Sequence, residues 1–451
     1  MPMRLQKATK KTAEEFGSAF VPELVNRTCI LSVPKKISIS PFAIKSEFIA
    51  YASPESTFAV TKSFLDGAKK SILIGIYDFT AGYMKELLFK AMQRGVKVSL
   101  MLDLDNRSGE TPLFDDLVKH GCDGVPAPSC ASEHAHFFAS SHEKVIVIDD
   151  TWTLVQSGNY SDASIPLNEK DGGDKNDFTF GNRDMGVAVK SKPLAAFFTK
   201  VLRADMKLER DATGIEALEG MAGLAVIEAF GAKPTAPAPK LFASKKFVPK
   251  TSIRTTPILS PDNYMKLVPD FLKSATISID LEQQYIRSGQ PEIKKLLGAI
   301  RAAVDAHPKL KVRIVLARPV TVKPKPGAAP KESKEIRDIK ALSELGLKVG
   351  KNIRLLSPKH FVHCHNKLII VDKKTVLVSS QNWSDLAVTK NREAGLLMEY
   401  PDIAKYYADI FQVDWDTGVK TLTEAKPELF APEALATGKV VRLNWGDYAE
   451  V

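Results

Sequence analysis

Two short stretches of this sequence could do chemistry, and they carry it at the same spacing. Residues 142–149 read HEKVIVID and residues 365–372 read HNKLIIVD. On a strand, residues two apart project to the same side, so His142 with Lys144, and His365 with Lys367, set an imidazole beside an ammonium. The apolar filling between each lysine and the closing aspartate suits a strand covered on both faces. A short polar turn follows each copy, DDTW or DKKT, and then a second strand ending QSGNYSD or SSQNWSD. Counting register outward from each turn predicts His142 opposite Asn159 and Lys144 opposite Ser157. The same count predicts His365 opposite Asn382 and Lys367 opposite Ser380.

Imidazole, ammonium, amide and hydroxyl together are what a tetrahedral phosphate needs. Lys144, Ser157, Asn159 and their counterparts Lys367, Ser380, Asn382 supply charge and donors for its oxygens, and a histidine is aimed at phosphorus. Neither half offers a second titrating group to protonate a leaving oxygen. Two halves packed face to face would divide that labour, one histidine attacking and the other acting as general acid. Each imidazole then needs its second nitrogen held, and the tripeptides NRD (182–184) and NRE (391–393) offer Asp184 and Glu393 as orienting acids. Asp149 and Asp372 complete the two motifs, but their odd spacing from the histidines turns them to the other face, toward loop or turn hydrogen bonds. His134, His136, His360 and His363 read as site lining. The stretches HAH and HFVHCH carry no carboxylate or cysteine in a familiar ligand arrangement, so no metal and no cofactor is called for. Cys364 beside His365 reads as a small packed residue, because the other copy has Ser141 there.

The elements that position these residues are themselves repeated. SPES (53–56) answers SPDN (260–263), KKSILIGIYDF (69–79) answers SATISIDLEQQYI (274–286), and GVKVSLMLD (95–103) answers KLKVRIVLA (309–317). Between these strands the patterns predict helices over 57–69 and 85–94, then over 264–273 and 291–306. Such alternation argues for an α/β fold of two pseudo-symmetric α/β sandwich halves with mixed β-sheets, the site lying at their interface. The division reads as an N-terminal extension (1–45), a first half (46–230), a Pro/Ala-rich linker (231–256), a second half (257–420) and a C-terminal tail (421–451). Residues 319–334 and 166–177 read as irregular loops, either solvated or contacting substrate. Residues 214–231 admit a membrane-touching helix, though interdomain packing suits their small and apolar residues better.

A chain of 451 residues with 44% hydrophobic residues exceeds what one core usually supports. With 63 Lys and Arg against 53 Asp and Glu, the net charge of +10 attracts anions such as nucleic acid, anionic headgroups and phosphate esters. Apolar stretches stop far short of the roughly 20 residues that span a bilayer. The basic N-terminus lacks an apolar leader core, which makes a cytoplasmic location the default. The four cysteines show no CxxC spacing and suggest at most a single Cys122–Cys130 bridge.

The paired HEKVIVID…SGN and HNKLIIVD…SQN resemble the two HKD motifs of the phospholipase D superfamily, over most of the chain from about residue 50 to 415. That resemblance implies a phosphodiesterase acting through a covalent phosphohistidine without a required metal. By position, His142 would be the nucleophile and His365 the acid that later activates water or an alcohol. Lys144, Lys367, Asn159 and Asn382 would bind the phosphate. Asp184 departs from the glutamate usual in the family. Both motifs in one chain imply a monomer. Three substrate readings follow. The favoured one is a phospholipase D meeting glycerophospholipids such as phosphatidylcholine at a membrane or micelle surface, with Phe137, Phe138, Trp152, Phe361 and Trp383 lining an acyl entrance or packed as core. A nuclease gripping a polyphosphate backbone with its basic surface is the alternative. A protein that only binds phosphate-bearing partners is the third, and the completeness of both motifs argues against it.

Overall fold

The alternation of apolar strands with amphipathic helices is realised twice in the computed structural model. It describes residues 29–104, 110–167, 169–173, 181–212, 227–229, 234–322, 332–424, 428–430 and 441–443. The first eight-stranded sheet runs, in spatial order, Lys245–Phe247, Phe48–Ser53, Asp184–Lys190, Trp152–Gln156, Lys144–Ile148, Ser71–Ile76, Lys97–Leu102 and Asp123–Pro126. The second runs Phe42–Ile44, Ile253–Ser260, Glu393–Met398, Thr375–Ser379, Lys367–Val371, Ser278–Gln283, Lys311–Leu316 and Ile353–Leu355. Each sheet is mixed, with parallel pairs at the end holding Ser71–Ile76 or Ser278–Gln283 and antiparallel pairs elsewhere. Edge strands are exchanged. Phe42–Ile44 pairs with Ile253–Ser260 in the second sheet, and Lys245–Phe247, from the stretch read as a linker, pairs with Phe48–Ser53 in the first.

Helices Thr57–Gly67 and Gly82–Gln93 cover the outer face of the first sheet; Tyr264–Lys273 and Pro291–Ala306 cover that of the second. A third core lies between the halves. It joins the inner faces, including Val145, Val147, Leu368 and Ile370, to the helices Lys192–Ala212 and Pro401–Thr417. Successive strand residues face opposite sides, so Ile146 and Ile148 belong to an outer core while Val145 and Val147 belong to the shared one.

The motif hairpins are one residue tighter than the sequence count supposed. Ile148 faces Trp152 and Val371 faces Thr375, because Asp149, Asp150, Asp372 and Lys373 all take left-handed φ between 51° and 54°. Two such residues make the turn whose twist matches antiparallel strands, and aspartate tolerates that conformation better than most. The true register pairs Val145 with Val155 and so sets Gln156, not Ser157, across from Lys144.

Among the described residues no helix is long and apolar enough to cross a membrane. Of residues 214–231, only Ile227–Ala229 is described, and it is a strand antiparallel to Val441–Leu443 rather than a helix. Residues 1–28, most of the tail and much of the loops at 166–177 and 319–334 lie outside the described residues. The expected Cys122–Cys130 bridge is replaced by Cys29–Cys130, whose partners are 101 residues apart in sequence and 5.8 Å apart between Cα atoms. Cys122 is a buried free thiol, pushed up to about 12 by burial and by Asp123.

Candidate active site

The motif strands start where the halves meet. Just before each, the backbone bonds to the other half: the His142 N–H donates to the Arg392 carbonyl at 2.7 Å, and the His365 N–H to the Arg183 carbonyl at 3.0 Å. Bridges pair Ser141 with Arg392 and Cys364 with Arg183. Since Glu393 follows Arg392, and Asp184 follows Arg183, each acid is delivered to the histidine of the opposite half. His142 Nδ1 lies 2.8 Å from Glu393 Oε2, and His365 Nδ1 lies 2.9 Å from Asp184 Oδ1. Sequence named both acids but could not show that the pairs are crossed.

Ser157 donates to Asp184 at 2.7 Å and Ser380 to Glu393 at 2.6 Å. The two serines therefore hold the acids, a different task from the phosphate contact expected of them. Lys144 Nζ donates to the His142 carbonyl at 2.6 Å, and Lys367 Nζ to the His365 carbonyl. Each ammonium has three donors, so two remain for a ligand. Asn159 and Asn382 are buried with side-chain oxygens that have no partner among the described residues, and the Asn159 amide reaches Asp78 at 3.5 Å. Asp149 and Asp372 stand apart from this cluster. Asp149 accepts the backbone N–H groups of Lys69, Lys70 and Ser71, and Asp372 those of Thr276, Ile277 and Ser278.

The electrostatics follow from burial of many charges in one place. Burial drives His142 well below its ordinary value, with Lys144, Lys367 and His365 adding to the effect. His365 falls to about 4, through burial and then Lys367, against the pull of Asp184. Burial also lowers Lys144 to about 7 and Lys367 to about 8. The acids diverge. Burial pushes Asp184 up, but His365, Lys367 and Ser157 outweigh it and the carboxyl is lowered. Burial wins at Glu393, which rises to about 8. Such clustering of shifted groups marks a functional site. A doubly positive imidazole and ammonium pair is costly here until an anion arrives.

Several residues at the site escaped sequence reasoning. Tyr77 packs against His142 with ring centroids 4.6 Å apart and the planes tilted by 57°, and Lys144 Nζ lies 5.1 Å over the tyrosine ring. Arg183 pairs with Glu55 and, across the interface, with Asp414, both at 2.8 Å. Arg392 pairs with Asp262 at 2.6 Å and, across the interface, with Asp205 at 2.8 Å. Their place in the repeated NRD and NRE tripeptides was the available signal. Phe361 lies under Arg183 at 4.4 Å and Phe138 under Arg392 at 4.2 Å, so these rings are buried supports and not an acyl entrance. Trp383 is likewise buried in an outer core, with Nε1 donating to Tyr264 Oη. Trp152 packs on Phe64 beside the hairpin turn.

Of the four further histidines, only His363 lies among the site charges, where burial, His365, Arg318 and Lys367 lower it. His136 bonds the Ser132 carbonyl and His360 the Pro237 carbonyl. The Cys364 thiol turns toward Glu282, 3.7 Å away. Among the described residues no group of three or more His, Cys, Asp or Glu side chains is placed to hold a metal ion.

A family model described as "Cardiolipin synthase, PLD-like domain" matches residues 62–206 and 268–415, together more than half of the chain. The mitochondrial cardiolipin hydrolase of Mus musculus is 31% identical over 74 residues, 16% of this chain and 34% of that one. This chain thus spans about a third of the length of the curated relatives it matches. A phosphatidylserine synthase from Haemophilus influenzae Rd KW20 shares the fold, with TM-score 0.54 and 14% identity over 84% of this chain and 90% of that one. Nuc from Salmonella typhimurium, a phospholipase D family member, aligns at TM-score 0.30 and 21% identity over 36% of this chain and 95% of that one. Each matched region of the family model holds one histidine–lysine motif and one orienting acid, and the chain belongs to this PLD-like domain family of the phospholipase D superfamily.

Proposed function

We propose that this protein is a phospholipase D-type phosphodiesterase of glycerophospholipids, phosphatidylcholine among them, which passes the phosphatidyl group through a phosphohistidine to water or an alcohol. The observation that carries the reading is the crossed pair of histidine–carboxylate dyads, one from each half, facing two buried lysines. One imidazole Nε2 attacks phosphorus while the other imidazole donates its proton to the leaving oxygen, whose bond to phosphorus breaks. That second imidazole then takes a proton from water or an alcohol. The incoming oxygen bonds to phosphorus and the phosphorus–nitrogen bond breaks, restoring both histidines. Lys144 and Lys367, with Asn159 and Asn382, balance charge on the phosphoryl oxygens, and phosphate binding restores the protons that burial removes from the lysines.

Support for a lipid comes from the family description and from the relatives named for cardiolipin and phosphatidylserine. The net charge of +10 favours an anionic membrane or micelle surface, which a monomer holding both motifs would meet directly. Motif order gives attack to His142 and acid catalysis to His365. The electrostatics of the two acids favour the reverse. Asp184 is held ionised, which fixes Nδ1–H of His365 and frees its Nε2 lone pair, while Glu393 beside His142 keeps a proton to about 8.

The test is a paired assay with EDTA present: phosphatidylcholine vesicles with ethanol in one vessel, plasmid and single-stranded DNA in the other. Release of choline with formation of phosphatidylethanol, lost in His142→Ala, is the expected result. Nicked DNA beside untouched lipid would replace the lipid reading with a nuclease.

A further inference from the structure

The two halves repeat the same hydrogen-bonding pattern at the dyads and part company two residues earlier. Ser140 and His363 occupy equivalent places: the Arg392 N–H donates to the Ser140 carbonyl and the Arg183 N–H to the His363 carbonyl, both at 2.9 Å. In an extended segment these side chains share a side with His142 and His365 respectively. Ser140 is satisfied, donating to Asp103 Oδ2 at 3.1 Å. His363 is only 4% exposed, and neither ring nitrogen has a hydrogen-bond partner among the described residues.

Two further exchanges go the same way. Ile76 pairs with Lys144 in the first sheet, and its counterpart Gln283 pairs with Lys367 in the second. Gln283 is fully buried, with both amide atoms lacking a partner among the described residues. Asp103 follows strand Lys97–Leu102, whereas Ala317 and then Arg318 follow the equivalent strand Lys311–Leu316. Arg318 reaches the Val362 carbonyl at 3.4 Å, next to His363. The first half thus closes this place with a hydroxyl and a carboxylate. The second leaves donors open beside a guanidinium, and buried donors without partners are costly unless a ligand or water meets them.

We propose that His363, Gln283 and Arg318 form a subsite for a second acidic group, phosphate or carboxylate, carried by the substrate next to the scissile phosphodiester. It deepens the reading of the site as a phosphodiesterase and predicts that, among its glycerophospholipids, diesters with an additional anion bind more tightly than phosphatidylcholine. The charges that lower His363 are those of His365, Arg318 and Lys367.

Calorimetric titration of the full chain tests this without reference to turnover, so failure of the lipid reading would leave it intact. The probes are orthophosphate and pyrophosphate, with glycerophosphocholine and glycerophosphoserine as a second pair. Pyrophosphate is expected to bind at least about tenfold more tightly than orthophosphate, equivalent to one added charge-assisted contact. His363→Ser and Gln283→Ile, each installing the residue that the first half already tolerates, should remove most of that advantage and shift orthophosphate by less than about threefold. An advantage for glycerophosphoserine over glycerophosphocholine would identify a carboxylate as the second group; an advantage for pyrophosphate alone would identify a phosphate. Equal affinity within both pairs, or equal losses for both phosphates in the two variants, would overturn the proposal.

Discussion

The amino-terminal and carboxyl-terminal halves build one geometry and charge it differently. Strand order, hairpin turn, crossed bridge and buried arginine recur in both. The acids do not: Asp184 is lowered beside His365, and Glu393 is raised to about 8 beside His142. Ser380 and Asn391 both donate to Glu393, yet burial prevails there. Two matched dyads would have to take their separate steps from the orientation of the bound substrate alone. Two dyads whose acids are shifted in opposite directions are biased before any substrate arrives, one toward accepting a proton and the other toward giving one.

Replacing either histidine breaks the comparison most severely. His142→Ala and His365→Ala should each lower kcat by about 10³-fold or more, since each removes an attacking or proton-transferring group. Steady-state hydrolysis of a phosphodiester measures this, and full turnover by either variant would dismiss the division of labour.

Loss of an arginine clamp comes next. Arg183→Met strands Asp414 and Glu55 in the interface, and Arg392→Met strands Asp205 and Asp262. Breaking a buried pair from one side costs about 3 kcal/mol or more, which denaturant unfolding would read. The two losses should be similar, because the clamps are symmetric.

The acids sharpen the contrast through pH. Glu393 keeps its proton to about 8 when folded, against an ordinary value of 4.5. Between these values the folded chain binds more protons than the unfolded one, so wild-type stability should fall relative to Glu393→Gln as pH rises from about 5 to about 8. Asp184 is shifted the other way. Its contribution is complete above the ordinary carboxylate range and is lost only as pH falls through the folded value, so wild type relative to Asp184→Asn should stay level over the same interval. Thermal unfolding of the three proteins across pH checks both signs; parallel slopes would contradict the difference between the halves.

The smallest effect belongs to the turn aspartates. Asp149→Asn and Asp372→Asn keep a residue that tolerates left-handed φ but weaken acceptance from three backbone N–H groups each. Stability should drop by about 1 kcal/mol, with kcat within about threefold. A loss of activity comparable to that of the histidine variants would place these residues in the reaction after all.

Much of this was legible in the sequence because duplication doubles every signal. The repeated motifs gave the histidines and lysines, and the matched NRD and NRE gave both acids. Helices over 264–273 and 291–306 appear where periodicity put them. What stayed hidden depends on contacts between distant segments. The crossing of the dyads arises from the bridges of Ser141 with Arg392 and Arg183 with Cys364, which no local pattern encodes. The hairpin register slipped by one because two consecutive left-handed residues tighten the turn, and Asp-Asp or Asp-Lys is a weaker signal for that than Asn-Gly. Cys29–Cys130 joins residues too far apart for spacing to suggest them. Phe138 and Phe361 looked available to lipid until the arginines above them were placed.

We propose that one histidine from each half serves a single phosphoryl transfer. Its most direct test is peptide mapping of phosphohistidine at alkaline pH, after brief exposure of wild type, His142→Ala and His365→Ala to a phosphodiester with a nitrophenol leaving group, which needs no acid. Phosphorylation is expected at one histidine only, absent when that residue is replaced and accumulating when the histidine of the other half is replaced. Phosphate on neither histidine, or on each one independently of the other, would contradict it.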